Sequence, residues 1–474
     1  MKPGLQQEML KQLGSRELFD QAAAYAREYM GGVLERRVYP DEAALAGLAA
    51  FDEALPDQPE SAGEILRQLH EHGSPATVTT TGGRYFGFVI GGALPAALAA
   101  RWLADSWDQN PVLHVISPVT AKLEETCEKW LVDLLRLPEG TAASILSGTS
   151  SATLCGLAAG RYALLDHAGW DVNQQGLAGA PPLRVVVNAE AHASVFRALA
   201  LLGFGRARLE LVPADDQGRM RLDALPTLDA RCLVIAQAGH VNSGAFDPLQ
   251  EIGERTRKAG AWLHVDGAFG LWAAASRSKR VLARGVELAD SWSADAHKTL
   301  NAPYDCGILL CRERRALIGA LETSGSYLAF GEHRDGMLYT HEMSRRARAI
   351  DLWATLKALG RAGVEDLVDR LCSHAERFAR GLKAAEFRVP NDVVFNQVLV
   401  ACESPELTRA TLAHLQAAGE CWCGGATWAG EPVIRISVCS WATTEADVDR
   451  SVAAFVAARD AAREAAREGL KQSA

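Results

Sequence analysis

Between residues 143 and 311 the chain alternates short apolar, β-branched runs with stretches of helical character, and this alternation restricts the fold more than any other feature of the sequence. Strand-like runs fall at 143–146, 183–188, 208–212, 232–237, 261–266, 290–294 and 306–311, with helix-like segments at 151–165, 193–202 and 248–259 between several of them. A strand, a helix and a second strand in succession require a crossover, and repeated crossovers place helices on both faces of a mostly parallel sheet. The expected class is therefore α/β, with a mostly parallel seven-stranded sheet.

The flanks read differently. Residues 1–84 form an N-terminal helical arm: 16–30 and 40–55 are rich in Ala, Glu and Leu, and Gly31-Gly32 breaks the pattern between them. Residues 85–360 hold the alternating region and end in a long helix at 344–359. Residues 361–474 read as a small α+β unit. Its elements are a helix at 363–384, a strand at 394–400, a helix at 405–417, strands near 420–424 and 432–438, and a final helix from Glu445. A chain of 474 residues has room for three such units.

Composition excludes several classes of function. The hydrophobic fraction of 48% and the charged fraction of 23% are those of a globular protein. A net charge of −9 argues against nucleic acid as a partner. The ten cysteines lie between Cys127 and Cys439 without a C-x-x-C pair, so they suggest reduced core thiols of a cytoplasmic protein and no metal site. The start, MKPGLQQEML, lacks the basic and apolar character of a signal peptide, and no window offers the roughly 18 uninterrupted apolar residues of a membrane span.

In an open parallel sheet, ligands collect beyond the carboxyl ends of the strands. Reactive residues stand at those points here. The run 262–266 ends in Asp266, followed by Gly267-Ala268, and the run from Asp290 leads into Ala296-His297-Lys298. The turn Ser147-Gly148-Thr149-Ser150-Ser151 precedes a helix, and Val187-Asn188 leads through Ala189-Glu190-Ala191 to His192. Taken singly, each has an ordinary explanation: a surface lysine, a capping aspartate, a loop rich in small polar residues, a satisfied interior histidine. One ligand, pyridoxal phosphate, accounts for all four. Its aldehyde needs an amine nucleophile, its phosphate suits a hydroxyl-lined helix N-terminus, and its ring nitrogen needs a carboxylate to stay protonated. An imidazole can stack on the exposed ring face.

The segments HVDGAFG (264–270), SADAHKTLNAPYDCG (293–307) and SGTSSAT (147–153) resemble the group II pyridoxal-phosphate decarboxylases, which include aromatic-amino-acid, glutamate and cysteine-sulfinate enzymes. RYFGFV (84–89), NAEAHAS (188–194), GAFDPL (244–249), SRRARAIDLWATLKALG (344–360) and IRISVCSW (434–441) extend the resemblance over most of the chain. It implies an aminotransferase-like fold, decarboxylation of an amino acid to a primary amine, and a homodimer with shared active sites. It also implies roles. Lys298 matches the lysine that bonds the cofactor aldehyde, Asp266 the partner of the ring nitrogen, His192 the stacking histidine, and Ala268 the small residue under the ring. Thr149, Ser150 and His297 match phosphate contacts. Tyr327 matches the tyrosine that donates a proton to the substrate α-carbon once carbon dioxide has left. Its presence favours decarboxylation over diversion to an aldehyde.

Some positions depart from the family pattern. His240 stands where the aromatic-amino-acid enzymes usually have threonine, its neighbour Asn242 also differs, and Ser151 replaces a common glutamate. These changes bear on substrate choice. An aromatic and aliphatic wall is expected from the 85–90 stretch, with Phe86 and Phe88 and then Trp102 and Trp107, while His240 and Asn242 offer a polar end. That lining favours an apolar or aromatic L-amino acid; the counter-reading is that the aromatics are core. Arg435 suits either a carboxylate clamp, as an aminotransferase on this fold would need, or a contact between the two sheet regions. Gly325, Gly331 and Gly336 suggest a mobile lid at 322–339.

Overall fold

The computed structural model describes residues 4–322 and 333–472, without the side chains of 469–472. The seven-stranded sheet consists of β1 (Ala142–Leu146), β2 (Arg184–Asn188), β3 (Leu209–Val212), β4 (Cys232–Gln237), β5 (Trp262–Asp266), β6 (Ser291–Asp295) and β7 (Gly307–Cys311). Each lies within one residue of the run that predicts it. Their spatial order is β1-β7-β6-β5-β4-β2-β3. The pairs β2–β3, β2–β4, β4–β5 and β5–β6 are parallel, whereas β7 runs antiparallel to both β1 and β6. Two reversals cancel, so β1 points the same way as β2 to β6, and six strands deliver their carboxyl ends to one edge.

All residues of β1, β4, β5, β6 and β7 are buried, which requires cover on both faces. In chain order the helices are α1 (Leu5–Gly14), α2 (Glu17–Gly32), α3 (Glu42–Gly47), α4 (Ala62–Gln68), α5 (Pro95–Trp107), α6 (Pro118–Leu134) and α7 (Thr149–His167). They continue with α8 (Val172–Gln175), α9 (Ala193–Leu201), α10 (Leu249–Ala259), α11 (Arg314–Leu321), α12 (Arg348–Ala384), α13 (Pro405–Ala418) and α14 (Glu445–Gln472). Most of α7 is buried: it packs on β5, β6 and β7 and between α9 and α11, and its apolar residues run all round the helix. By contrast α1 to α4 bury no residue and leave Leu10, Leu13 and Phe19 open to solvent. The helix expected at 40–55 is shorter, with α3 giving way to a 3-10 turn at Leu48–Phe51.

The two helices expected at 344–359 and 363–384 are both present within α12 and meet at Gly360, whose non-helical backbone, with φ of 59°, breaks the helix there and suits a residue without Cβ. A second, antiparallel sheet follows, made of β8 (Gln397–Val400), β9 (Gly424–Trp428) and β10 (Glu431–Ser437) in the order β8-β10-β9. The strand expected near 420–424 is displaced to β9. Residues 421–423 pair instead with the stretch before Phe86: Phe86 N–H donates to the Trp422 carbonyl at 2.8 Å and Trp422 N–H to the Arg84 carbonyl at 3.2 Å. Cys421 and Cys423 are buried beside this crossing, and all ten cysteines are free. Among the described residues no helix is long and apolar enough to cross a membrane.

A buried charge network ties α6 to β1. Glu124 pairs with Arg334 at 2.9 Å and with Arg345 at 2.9 Å. Glu128 receives Arg334 at 2.9 Å and the Ala143 N–H at 2.8 Å. Glu124, Arg334 and Arg345 are all buried, so the loss of the Glu124 carboxylate leaves Arg334 with Glu128 alone and strips Arg345 of its acid among the described residues. Glu124→Gln is therefore expected to destabilise the fold by about 3–5 kcal/mol in chemical denaturation. Parent-like stability would show that the two arginines find other partners.

Candidate active site

The co-directional strand ends surround a cavity of about 360 Å³. Lys298, three residues beyond β6, lines it, as does Asp266, the last residue of β5. Thr149 and Ser150 enter at the first turn of α7, His192 at the cap of α9, and Ala268 and His297 from the loops after β5 and β6. Sequence reasoning brings these seven residues together, and the structure places all of them on one cavity.

Each is held by its local structure. The imidazole Nδ1 of His192 accepts the Ser194 N–H at 3.2 Å, which caps α9 and sets the ring at the mouth of the cavity. His297 Nδ1 accepts the Cys306 N–H at 3.1 Å, so its proton sits on Nε2. Phe88 and Val89 have φ of 50° and 58°, a left-handed conformation that side chains with a Cβ resist. They are held there because Gly91 lies against the Lys298 backbone, where a Cβ would come within 2.1 Å of the carbonyl oxygen. The strained turn brings Phe88 and Val89 onto the cavity wall.

The electrostatics centre on two buried carboxylates. Burial raises the Asp266 carboxyl above its ordinary value, against the opposing pull of His192 and Lys298, and its Oδ1 accepts the Ala268 N–H at 3.2 Å. A carboxylate so placed is stabilised by a cation. Burial would also raise Asp295, but Lys298, His297 and Thr149 outweigh it and hold its carboxyl below the ordinary range. Its Oδ2 lies 3.0 Å from Lys298 Nζ, and its Oδ1 accepts the Thr149 N–H at 2.7 Å. Burial pushes the imidazoles of His192 and His297 down.

The residues fit pyridoxal phosphate on an independent count. Thr149 Oγ1 is buried with no hydrogen-bond partner, an orphan hydroxyl at the start of a long helix where a phosphate oxygen would satisfy it. Among the described residues no cluster of three or more His, Cys, Asp or Glu could hold a metal ion.

Several expectations need correction. Phe86 is fully buried and packs edge-on against Phe378 in the core beneath the smaller sheet, so it does not line the cavity. Trp102 lies on a separate cavity beside the N-terminal helices, and Trp107 is exposed on α5. His240 is turned away into a buried niche, where its Nδ1 accepts the Asn242 N–H at 3.2 Å and its Nε2 faces Glu190 at 3.3 Å. Asn242 also stays off the wall and receives Arg435 at 3.3 Å, whereas Val241 between them lines the cavity. Arg435 makes the contact between the two sheet regions considered for it, donating to the Val241 carbonyl at 3.2 Å, and it also lines the cavity. Tyr327 lies outside the described residues, as do Gly325 and Gly331. Gly336 belongs to a buried 3-10 turn (Gly336–Tyr339). Sequence reasoning assigned Asp295 no role, although its spacing of three residues from Lys298 at a strand end was a visible signal.

Comparison with known proteins gives a consistent result. Residues 46–402 match the family model described as the pyridoxal-dependent decarboxylase conserved domain. The acidic amino acid decarboxylase of Mus musculus is 31% identical over 334 residues, which are 68% of this chain and 60% of that protein. The chain thus spans about three fifths of that relative's length. The cysteine sulfinic acid decarboxylase of Mus musculus is 30% identical over 352 residues, 71% of this chain and 70% of that protein. A crystal structure of Oryza sativa TDC with PLP and tryptamine superposes with a TM-score of 0.85 at 24% identity, covering 94% of this chain and 97% of that one, and so shares its fold. The match over residues 46–402 takes in every described residue placed on the cavity except Arg435, and this chain belongs to the pyridoxal-dependent decarboxylase family.

Proposed function

We propose that the protein removes the α-carboxylate of an L-amino acid as carbon dioxide, leaving the corresponding primary amine, with pyridoxal phosphate as cofactor. The observation that carries this reading is the meeting of Lys298, Asp266, His192 and the orphan Thr149 hydroxyl on one cavity. When bound, pyridoxal phosphate supplies the electron sink for the pair left behind as carbon dioxide departs.

The chain's own residues divide the remaining work. Lys298 Nζ is the nucleophile for the cofactor aldehyde and is displaced by the substrate amine. Asp266 keeps the proton on the ring nitrogen, which relieves the cost of burying its own charge. His192, neutral at physiological pH because burial lowers its pKa, stacks on the ring from the open side. Thr149, Ser150 and His297 receive the phosphate. Among the described residues Arg435 donates to neutral acceptors, the Val241 carbonyl and the Asn242 side chain, and it offers its guanidinium to the substrate carboxylate. Tyr327 is the proposed proton donor to the α-carbon.

For the substrate side chain we favour an apolar or aromatic group. Phe88, Val89 and Val241 supply the wall, and Lys298 and Arg435 are the Lys and Arg side chains among the described residues of the cavity. With Lys298 committed to the cofactor and Arg435 to the α-carboxylate, a second substrate carboxylate would lack a partner there. The names of relatives point both ways: two mouse proteins are named for acidic substrates, and the rice structure contains tryptamine. The exposed apolar residues of α1 and α2 support a homodimer in which a second copy covers the arm.

The presence of Arg435 in the cavity also favours one rival, an aminotransferase that clamps the carboxylate in the ring plane. Incubation with a panel of amino acids should yield carbon dioxide and amine with little keto acid, and fastest turnover on an apolar or aromatic member. Keto acid as main product would establish the rival, and a tenfold preference for an acidic substrate, about 1.4 kcal/mol, would overturn the apolar reading. Lys298→Ala should abolish turnover and the visible absorbance of the bound cofactor while leaving a folded protein. Asp266→Asn should weaken cofactor binding and lower kcat by at least tenfold, because an amide cannot hold the ring nitrogen protonated; parent-like kcat would assign that task to another group.

A further inference from the structure

We infer that Asp295 is the counter-ion of Lys298, a positioning residue that keeps positive charge on the lysine nitrogen and so sets the pH at which the lysine–cofactor linkage takes up its proton. The inference rests on the reading of Lys298 as the residue that bonds the cofactor. No bond of the cofactor is made or broken in the step: one proton passes between solvent and the nitrogen.

The geometry separates this role from simple helix capping. A cap on α7 would need one carboxylate oxygen, and Oδ1 fills that need by accepting the Thr149 N–H at 2.7 Å. Oδ2 is left for Lys298 Nζ at 3.0 Å, with His297 Nε2 further off at 3.7 Å. The backbone leaves Asp295 little freedom. It is the last residue of β6, its N–H donates to the Ala268 carbonyl at 2.8 Å, and its Cα pairs with Gly307 of β7. Its side chain is 3% exposed, so solvent screens the pair weakly.

Other titratable groups face this pair without replacing it. Asp266 is the other carboxylate on the cavity, and it stands at the end of the neighbouring strand β5, where the ring nitrogen is to bind. His192 and Arg435 line the cavity, and both add positive or neutral character. His297 and Tyr304 stack with ring centroids 4.2 Å apart, and burial pushes the Tyr304 phenol up, so it stays neutral. Burial likewise raises the Cys306 thiol, and the Cys439 thiol to about 12, so neither carries charge at neutral pH. Asp295 is thus the carboxylate within ion-pair distance of Lys298 among the described residues.

An anion beside a protonated nitrogen favours the protonated form, and its removal lowers the pH at which the proton is lost. Asp295→Asn removes the charge but keeps an oxygen for the Thr149 N–H. In the purified cofactor-loaded protein, the visible band of the Lys298–cofactor linkage is titrated from acid to alkaline pH. The midpoint in Asp295→Asn should fall by about 1 unit or more below the parent. A midpoint that does not move overturns the inference, whatever happens to activity, because a purely structural role would not shift it. Lys298→Ala is run alongside. If the band persists in Lys298→Ala, the assignment of the lysine itself fails; if it vanishes there and the Asp295→Asn midpoint is unmoved, only the counter-ion role fails. Should circular dichroism show that Asp295→Asn is unfolded, Asp295→Ser carries the same titration with the same criteria.

Discussion

The sheet is buried on both faces, and from that burial the arrangement of the site follows. Helices cover β1 and β4 to β7 along their whole length, so polar side chains on these strands have little access to water except at the strand ends. Six strands point the same way, and their carboxyl ends share one edge. Any acid placed there must find a partner in the protein or in a ligand.

Three aspartates at this edge meet that demand differently. Asp247 is saturated: it accepts N–H groups from Met220 and Gln237 and the Asn188 amide, all within 3.0 Å, although burial still pushes its carboxyl up to about 7. It is scaffolding that binds the ends of β2 and β4 together. Asp295 is divided between a helix N-terminus and Lys298. Asp266 has, among the described residues, a single longer bond, from Ala268, and lines the cavity. The least satisfied of the three is thus the one best placed to receive a cationic ring nitrogen.

The smaller sheet completes the cavity from the other side. Residues 421–423 pair with the segment leading to Phe86, and Trp422 stacks on Tyr85 and on Phe88, with ring centroids 5.2 and 5.5 Å apart. Arg435 reaches from β10 to Val241 and Asn242. The side of the cavity lined by Phe88 and Arg435 therefore depends on how the two sheets meet, whereas Asp266 and Lys298 stand at and just beyond strand ends of the larger sheet.

The sequence by itself determined the strands of the larger sheet, the edge at which its reactive side chains stand, and which of those side chains meet on one cavity. Periodicity and crossover rules are local, and a side chain such as Asp266 or Lys298 is carried at or just beyond the end of its own strand. Tertiary structure alone decided which aromatic residues face the cavity. Phe86 and Phe88 are two residues apart, yet one is core and the other lines the cavity, where the left-handed turn at Phe88–Val89 leads into Gly91 packed against the Lys298 backbone. It also decided that His240 turns inward to Glu190 and that residues 421–423 leave β10 to pair with Arg84 and Phe86. These outcomes depend on contacts between residues distant in the chain, and no local pattern in the sequence encodes which of two neighbouring side chains such a contact will bury.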